Sequence, residues 1–264
     1  MGFDILSTIL RARKARLEAA QRVQSLEQLR RQLSDSSPQP HALASALANS
    51  SRVNIIAEFK RRSPSKGVIR EHAEPASLAR EYERGGAAAI SVLTEEDFFA
   101  GSLADLRAVR EAVRLPILRK DFIFDEYQVW ESAVAGADAL LLIVSMLADE
   151  ELRSLRRLTE DELGMDALVE VHSAAELQRA LAAGAKLIGV NNRDLRSFEV
   201  SLKTSEELAA WAPPGTMLIS ESGLRSRGDL LRLQELGYRG FLIGETLMRS
   251  DDAEKELRSL VCEG

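Results

Sequence analysis

Apolar residues recur at intervals of three to four near the start of the chain, a spacing typical of an amphipathic helix. This pattern extends from about residue 3 to residue 33. The stretch SDSSPQP that follows has the composition of a loop, and a short segment rich in Ala and Leu then predicts another helix. Because a single apolar stripe needs a surface to pack on, residues 1–50 are predicted to be a helical N-terminal extension of a larger domain.

From residue 53 the pattern changes to short apolar runs separated by amphipathic stretches. Eight runs, about 20 to 35 residues apart, are predicted to be strands: VNIIAEFK, AAAISVLT, PILRKD, ADALLLIV, ALVEV, KLIGVNN, MLISES and GFLIGE. Gly recurs where a helix meets the next strand, as in RGGAAAI and AAGAKLIGV, and supplies a left-handed residue that ends the helix. Nearly continuous apolar strands that alternate with helices imply a parallel sheet covered by helices.

Eight such units in roughly 210 residues predict a closed (β/α)₈ TIM barrel, with residues 1–264 forming one domain. The main alternative is a doubly wound open sheet. That fold would be favoured by a GxGxxG turn after the first strand, and the sequence has none there.

Polar residues follow several of the predicted strands at the end where the active sites of such barrels lie. In IIAEFKRRSPSKG, Glu58 and Lys60 share one face of the first strand because side chains alternate along a strand. One charged strand end could simply reach solvent, but six coincide at the same rim. They carry Glu58 with Lys60, Lys120, Glu170, Asn191 with Arg193, Glu221 with Ser222 and Gly223, and Gly244 with Glu245. Carboxylates and cations held this close shift one another's pKa, which suits proton transfer.

The seventh and eighth strands carry a second signal. ISESGLRS and LIGETLMRS each place a Gly at the strand end directly before a helix, where backbone N–H groups can form an anion cradle. A tight turn explains one such Gly equally well, but barrels commonly bind phosphate after strands seven and eight. The pair predicts a phosphorylated small-molecule substrate.

Composition narrows the classes of function. The formal net charge of −6 gives no overall basic surface for nucleic acid. The longest apolar run, ALLLIV, is far shorter than the roughly 20 residues that span a bilayer, so no membrane association is predicted. The single Cys262 suits a reducing cytoplasm. His172 has no partner at ligand spacing and Ser222 has no recognisable His base, so the sequence predicts no metal, no cofactor and no serine hydrolase.

At this level of detail the sequence resembles the indole-3-glycerol-phosphate synthase family. IIAEFKRRSPSKG is the most specific match, and others follow in order to about residue 249: PILRKDFIFDEYQV, LLIVSML, ALVEVHS, GVNNRDL, LISESGL and FLIGETLMR. The resemblance implies a cofactor-free barrel enzyme of tryptophan biosynthesis in its monofunctional form. Its reaction converts 1-(2-carboxyphenylamino)-1-deoxyribulose 5-phosphate to indole-3-glycerol phosphate, CO₂ and water. Other enzymes of the same pathway are possible partners.

The resemblance also implies roles for the residues of the rim. It assigns protonation of the ketone to Lys120, and the later steps to Lys60, Glu58 and Glu170 together. Asn191 and Glu221 would orient sugar hydroxyls and catalytic cations. The substrate carboxylate would lie at Lys60, Ser63 and Arg193. The aromatic ring would lie in an apolar slot formed by Phe99, Phe122, Pro64 and Leu141. The phosphate would be bound by the backbone of Ser222, Gly223, Gly244 and Glu245. On sequence grounds alone, Phe122 and Leu141 are equally compatible with a role as ordinary core residues. The helical N-terminal extension is hypothesised to cover the rim of the barrel.

Two other functions are weighed against this one. A phosphoribosyl-anthranilate isomerase would need a Cys/Asp acid–base pair at the rim, whereas the one cysteine lies at the tail. A barrel that binds a phosphorylated ligand without turnover would be expected to have lost its catalytic lysines, whereas Lys60 and Lys120 are both present.

Overall fold

A computed structural model describes residues 5–33, 40–194 and 197–262 of the chain. In this part, eight parallel strands close into a barrel in sequence order, with the last strand paired to the first. The strands are β1 (Ile55–Phe59), β2 (Ala89–Leu93), β3 (Ile117–Lys120), β4 (Ala139–Ile143), β5 (Asp166–Val171), β6 (Leu187–Asn191), β7 (Met217–Glu221) and β8 (Tyr238–Ile243). The predicted TIM barrel is therefore confirmed, and each of the eight predicted runs contains or overlaps a strand. That the whole chain forms one domain stays a prediction.

Among the described residues before the barrel there are three helices: α1 (Ile5–Val23), α2 (Leu26–Leu33) and α3 (Ala42–Leu47). The sequence pattern predicted continuous helical character up to residue 33, but the helix is interrupted at Ser25. There the Ser25 backbone N–H donates to Gln28 Oε1 at 2.7 Å, and the Gln28 N–H donates to Ser25 Oγ at 3.3 Å. This reciprocal cap starts a new helix, α2. Most of the predicted loop SDSSPQP, residues 34–39, lies outside the described residues.

Further helices follow the strands and cover the outside of the barrel. They are α4 (Pro75–Gly85), α5 (Leu103–Ala112), α6 (Glu126–Val134), α7 (Asp149–Arg157), α8 (Ala174–Ala182), α9 (Lys203–Ala209), α10 (Arg227–Glu235), α11 (Glu245–Arg249) and α12 (Ala253–Val261). Several begin at a polar cap; at α6, Asp125 and Gln128 form a reciprocal capping box. A short antiparallel hairpin, Arg62–Ser63 with Gly67–Val68, follows β1. Across the described ranges, no helix combines the length and apolarity needed to cross a membrane.

The inside of the barrel is apolar at its base and polar at its C-terminal end. Because side chains alternate along each strand, the residue two positions after an inward apolar side chain also points inward. Four strands use this register to carry a charged group above a buried aliphatic one: Ile56 below Glu58, Leu118 below Lys120, Leu168 below Glu170, and Ile219 below Glu221. Leu43 and Leu47 of α3 are fully buried in the same inner cluster, so α3 closes the base.

Candidate active site

A cavity of about 710 Å³ lies at the C-terminal ends of the strands. The structure brings together there all of the residues that the sequence singled out for catalysis or binding. They are Glu58, Lys60, Ser63, Pro64, Phe99, Lys120, Phe122, Leu141, Glu170, Asn191, Arg193, Glu221, Ser222, Gly223, Gly244 and Glu245. These residues lie on the barrel strands or in the loops that follow them, and every strand or its loop contributes at least one. The site is therefore a product of barrel closure and not of one local motif.

Lys120, the last residue of β3, lies between two buried carboxylates. Its Nζ donates to Glu170 Oε2 at 3.2 Å and also to Glu221 Oε2. Burial alone would lower the pKa of the ammonium group, but the negative charges of Glu221, Glu170 and Glu58 outweigh it and raise the pKa above its ordinary value. Lys120 is therefore firmly held as a cation.

The two carboxylates beside Lys120 differ in their protonation. Burial raises the pKa of both, but at Glu170 the charges of Lys120 and His172 and a hydrogen bond from Asn191 bring the pKa below its ordinary value. At Glu221, burial and the negative charge of Glu170 prevail over Lys120 and raise the pKa to about 7. Glu170 is thus the more readily ionised member of the pair, and Glu221 changes its charge near neutral pH. Such a division of acid and base roles between neighbouring carboxyl groups is a frequent feature of active sites.

Glu58 and Lys60 form an ion pair on the face of β1 that opens into the cavity. The Glu58 side chain is almost completely buried, and Lys60 is more accessible. Gly244 lies directly against this carboxylate, because a Cβ at that position would be 2.3 Å from Glu58 Oε1. Gly189 gives Glu221 the same kind of space, with a hypothetical Cβ at 2.1 Å from Glu221 Oε1. Both glycines are therefore required by close approach to a carboxylate.

Polar groups line the cavity near the hairpin and β6. Ser63 Oγ is buried and has no hydrogen-bond partner among the described residues. Asn191 Oδ1 accepts the backbone N–H of Arg193 at 3.0 Å, and Arg193 Nη1 donates to the Phe198 carbonyl at 3.3 Å. A buried hydroxyl without a partner is costly unless a ligand supplies one. Ser63 is thus available to bind a polar group of a substrate.

Two aromatic rings form an apolar wall of the cavity. The ring centroids of Phe99 and Phe122 are 6.0 Å apart and tilted by 43°. Leu141 lines the same cavity from β4 and is nearly fully buried. The loop that carries Phe99 is held by Glu95, whose carboxylate accepts the backbone N–H groups of Asp97, Phe98 and Phe99 at 3.1, 2.8 and 3.1 Å. The three hydrogen bonds favour the ionised form of Glu95, but burial has the larger effect, so its pKa lies above the ordinary value.

The cavity is bounded on the β7 and β8 side by the turns after these strands. Ser222 and Gly223 both adopt left-handed backbone conformations, with φ of 68° and 81°. α11 begins immediately after Gly244. The cavity lining also includes the cations Lys66, Arg225 and Arg249. Left-handed turns and helix starts expose backbone N–H groups, so this part of the cavity suits an anion.

The N-terminal helix α1 lies along the rim. Ile5, Leu6 and Ile9 line the cavity. Arg13 Nη2 donates to Asp121 Oδ2 at 2.9 Å in a buried ion pair. One turn later, Arg16 holds Asp97 with contacts of 2.7 and 2.6 Å. The extension is therefore joined to the loops after β2 and β3 and forms part of the cavity wall.

A comparison with protein families decides what kind of barrel this is. The family model for indole-3-glycerol phosphate synthase matches residues 6–260. The chain belongs to the indole-3-glycerol phosphate synthase family.

Similar sequences agree with this family, and solved structures agree with the barrel fold. An indole-3-glycerol phosphate synthase of Carboxydothermus hydrogenoformans is 54% identical over 211 residues, which cover 80% of each chain. One from Syntrophobacter fumaroxidans is 48% identical over 259 residues and covers 97% of each. Among solved structures, thiamine phosphate pyrophosphorylase from Pyrococcus furiosus has a TM-score of 0.60 at 15% identity, covering 79% of this chain and 93% of that one. At that identity the likeness shows the barrel fold alone.

Membership of the indole-3-glycerol phosphate synthase family gives the chain its activity. It is a carboxy-lyase that forms indole-3-glycerol phosphate in tryptophan biosynthesis. The resemblance of the sequence to this family had indicated the activity, and its strand-end residues had indicated the position of the site, but sequence reasoning missed several parts of it. These are Glu95 after β2, Asp121 after β3, the cations Lys66, Arg225 and Arg249, and the α1 residues Ile5, Leu6 and Ile9. TEEDFF after the second predicted strand indicates a polar loop there, but nothing in it separates Glu95 from Glu96.

Proposed function

We propose that the cavity binds 1-(2-carboxyphenylamino)-1-deoxyribulose 5-phosphate in a folded conformation and converts it by proton transfer among its own side chains. The observation that carries the proposal is the cation of Lys120, held at the centre of the cavity between Glu170, whose pKa is lowered, and Glu221, whose pKa is raised to about 7. An apolar wall lies to one side of the cavity and an anion cradle closes another. These three regions match the ketone, the aromatic ring and the phosphate of that substrate.

Ring closure requires an acid at the ketone. The aromatic carbon that bears the carboxylate attacks the carbonyl carbon, and the oxygen must gain a proton as the new C–C bond forms. Lys120 is the group we assign to this step, because its buried ammonium is held as a cation and can stabilise the developing negative charge. Glu221 and Asn191 hold Lys120 and Glu170 in position from either side.

Loss of CO₂ and of the hydroxyl completes the reaction. The carbon that loses CO₂ already bears the new bond, so decarboxylation restores the aromatic ring. Elimination of the hydroxyl as water then needs an acid at that oxygen and a base at the neighbouring carbon. Lys60, Glu58 and Glu170 share these two roles in our proposal, because Lys60 pairs with Glu58 on one side of the cavity and Glu170 faces it from β5.

The substrate ring and its carboxylate have matching surroundings. Phe99 and Phe122, with Pro64 and Leu141, offer an apolar slot for the ring. The unpartnered Ser63 hydroxyl, the Lys60 ammonium and the Arg193 guanidinium line the cavity and suit the carboxylate. Holding the ring against the ketone supplies much of the rate enhancement, because it replaces a search among open conformers.

The phosphate is assigned to the turns after β7 and β8. Backbone N–H groups of Ser222, Gly223, Gly244 and Glu245 are the proposed donors, supported by the left-handed turn at Ser222 and Gly223. Lys66, Arg225 and Arg249 add positive charge to the same cavity. The phosphorylated substrate is thereby fixed at its end remote from the ring.

No observation favours a second function. Cys262 is exposed after the last helix and does not line the cavity, so the Cys/Asp pair of an isomerase is not formed by this residue. A cytoplasmic location and contacts with other enzymes of the pathway remain expectations from the sequence.

The direct test is to mix the purified protein with the proposed substrate and to follow indole absorbance and fluorescence. We expect product together with one equivalent of CO₂, in amounts proportional to enzyme. A matched reaction with the Lys120→Met variant, shown by circular dichroism to be folded, is expected to give no indole product. Folded wild-type protein that forms no indole would overturn the proposal.

A further inference from the structure

The proposed reaction consumes a proton that the substrate does not bring. The substrate enters as a carboxylate, because carboxyl groups of this kind are ionised at neutral pH, and it loses that group as CO₂. The ketone oxygen gains one proton, the departing hydroxyl gains another, and one returns when the five-membered ring becomes aromatic. The balance is one proton taken up per turnover. This inference rests on the proposed function, and it asks which group supplies that proton.

Glu170 can deliver a proton only if another group first supplies one to it. Its pKa lies below the ordinary value, since Lys120, His172 and Asn191 outweigh the effect of burial. Glu170 is thus a carboxylate in the free site. Lys120, which contacts it, is already assigned to the ketone. Glu221 also contacts Glu170, but it is fully buried and paired with Lys120. Among the described residues, the charged neighbour of Glu170 that leads away from the cavity is His172.

His172 lies just behind the active site and does not line the cavity. It follows the last residue of β5, and its Nε2 is 3.3 Å from Glu170 Oε1. This nitrogen is buried and makes no hydrogen bond within the described part of the chain. Its contact with Glu170 is an ion pair and not an aligned hydrogen bond, so a small rotation of the ring is needed before a proton can pass between them.

The other face of the imidazole is fixed by Glu176. His172 Nδ1 is 3.2 Å from Glu176 Oε2, and the His172 backbone N–H donates to the same oxygen at 2.7 Å. Glu176 is itself held in the first turn of α8, where its N–H donates to the Ser173 hydroxyl at 3.3 Å. The Glu176 side chain is 20% exposed. The chain Glu176–His172–Glu170 thus runs from the edge of the protein to the cavity.

The charges around His172 favour its protonated form. Burial lowers its pKa, but the hydrogen bond to Glu176 and the negative charges of Glu170, Glu176 and Glu221 outweigh burial and raise it. Glu176 is correspondingly ionised, because its bonds to His172 lower its pKa against the effect of burial. Lys120, the cation on the far side of Glu170, is itself in contact with the carboxyl groups of Glu170 and Glu221.

We infer that His172 is a positioning residue that stores the proton consumed in each turnover and passes it through Glu170 to the departing hydroxyl. In this step the Nε2–H bond of the imidazolium breaks and an O–H bond forms at Glu170 Oε1. Glu170 in turn gives up a proton to the leaving oxygen and returns to a carboxylate. The imidazole remains as the Nδ1–H tautomer, bonded to Glu176, and regains a proton from solvent after the product leaves.

The test compares His172→Gln with His41→Gln across a range of pH. His41 lies at the opposite end of the barrel, 3.2 Å from Asp166, and serves as the matched control. In the wild type and the control, kcat is expected to fall as pH rises through the pKa of His172. In His172→Gln, kcat is expected to be lower by about 10- to 100-fold, while KM stays within about twofold of the wild-type value. The fall of kcat at high pH, called here the alkaline limb, is expected to be absent from this variant. Added imidazole buffer is expected to restore part of kcat in His172→Gly and to leave the wild type unchanged.

A second variant keeps the inference testable if His172→Gln does not fold. Glu176→Gln retains an acceptor for the His172 N–H but removes the charge that favours the imidazolium, so the alkaline limb is expected to move to lower pH. Folded variants with the wild-type kcat and an unmoved alkaline limb would overturn the role of His172. A wild-type enzyme that forms no indole would instead overturn the proposed function.

Discussion

Arg13 of the N-terminal extension is bonded to Asp121, the residue that directly follows Lys120, with 2.9 Å between Nη2 and Oδ2. Both side chains are buried. Asp121 also accepts hydrogen bonds from Arg119 at 3.0 Å and from the Thr94 hydroxyl at 2.5 Å. Its pKa stays below the ordinary value because Arg119 and Arg13, with these hydrogen bonds, outweigh the effect of burial. The extension is therefore joined through a buried carboxylate to the strand that carries the proposed acid.

Removing the Arg13 guanidinium is expected to loosen α1 from the rim. Arg13→Gln leaves Asp121 with Arg119 as its remaining cation, so the free energy of unfolding is expected to fall by about 1–3 kcal/mol in urea titrations. KM is expected to rise several-fold, because α1 lines the cavity through Ile5, Leu6 and Ile9. Arg16→Gln is the control, since its ion pairs are exposed and worth about 0.2–1 kcal/mol. Equal effects of the two substitutions would contradict the importance of the buried pair.

Glu95 is expected to control substrate binding through the loop that presents Phe99. Glu95→Ala removes the acceptor for three backbone N–H groups, so the loop loses its fixed position and KM is expected to rise by about tenfold or more, with a smaller effect on kcat. Glu95→Gln keeps one acceptor oxygen, so its KM is expected to lie between those of the wild type and Glu95→Ala. The neighbouring Glu96 is half-exposed and bonded at the surface to Arg16, so Glu96→Ala serves as the control. Steady-state kinetics with an unchanged KM in Glu95→Ala would argue against this role.

The raised pKa of Glu221 makes part of the stability depend on pH. Glu221 holds its proton in the folded protein up to about pH 7, whereas in the unfolded chain it ionises near its ordinary value of 4.5. Its contribution to the free energy of unfolding is therefore fully present below about pH 4.5 and is lost as pH rises through about 7. Between these two pH values the folded state binds more protons than the unfolded state does. Glu170 has the opposite shift and contributes stability that is lost as pH falls.

A variant that cannot ionise isolates the effect of Glu221. Glu221→Gln is expected to gain stability relative to wild type as pH rises from 5 to 8, by up to about 3 kcal/mol. Urea titrations at several pH values measure this difference, and Glu18→Gln, a change at an exposed position of α1, is the control. Parallel pH profiles for wild type and Glu221→Gln would show that the proton is not held at Glu221.

Gly244 is expected to be required for the position of Glu58 as well as for phosphate binding. The Cβ of Gly244→Ala would lie 2.3 Å from Glu58 Oε1 and 3.0 Å from Glu58 Cδ, so the carboxylate must move. A displacement of this size is expected to lower kcat by about 100-fold. Gly228→Ala is the control, because its Cβ would approach only Ser226 Oγ, at 3.6 Å. Comparable kcat values for the two variants would mean that Glu58 tolerates displacement.

The register of each strand made most of the site predictable. In ILRK of β3, the buried Leu118 points inward, so alternation places Lys120 in the cavity and Arg119 outside the barrel. Arg119 is indeed buried on the outer side, where it bonds to Ser132 of α6 and to Thr94. The same rule holds for Glu58, Glu170 and Glu221. A period of two is a local property, so the sequence alone was enough to recover it.

Other parts of the site depend on contacts that no local pattern encodes. Arg13 and Asp121 are 108 residues apart in the chain, and helical periodicity shows only that α1 has an apolar face. The sequence excludes His172 as a metal ligand because it has no partner at ligand spacing, and nothing in the sequence shows that its ring faces Glu170. Glu95 resembled its exposed neighbours Glu96 and Asp97 until the loop geometry revealed its three backbone bonds. Long-range pairing and burial distinguish these residues, and both arise only when the barrel closes.

The central claim is that Lys120 is the acid that permits ring closure, and single-turnover kinetics of Lys120→Gln test it most directly. With enzyme in excess over the carboxyphenylamino-deoxyribulose phosphate, indole fluorescence reports the chemistry, and equilibrium titration of inorganic phosphate reports the binding site. The account predicts that the rate of indole formation falls by about 1,000-fold or more while phosphate affinity changes by less than about threefold. Indole formation at a rate close to that of the wild type would contradict it.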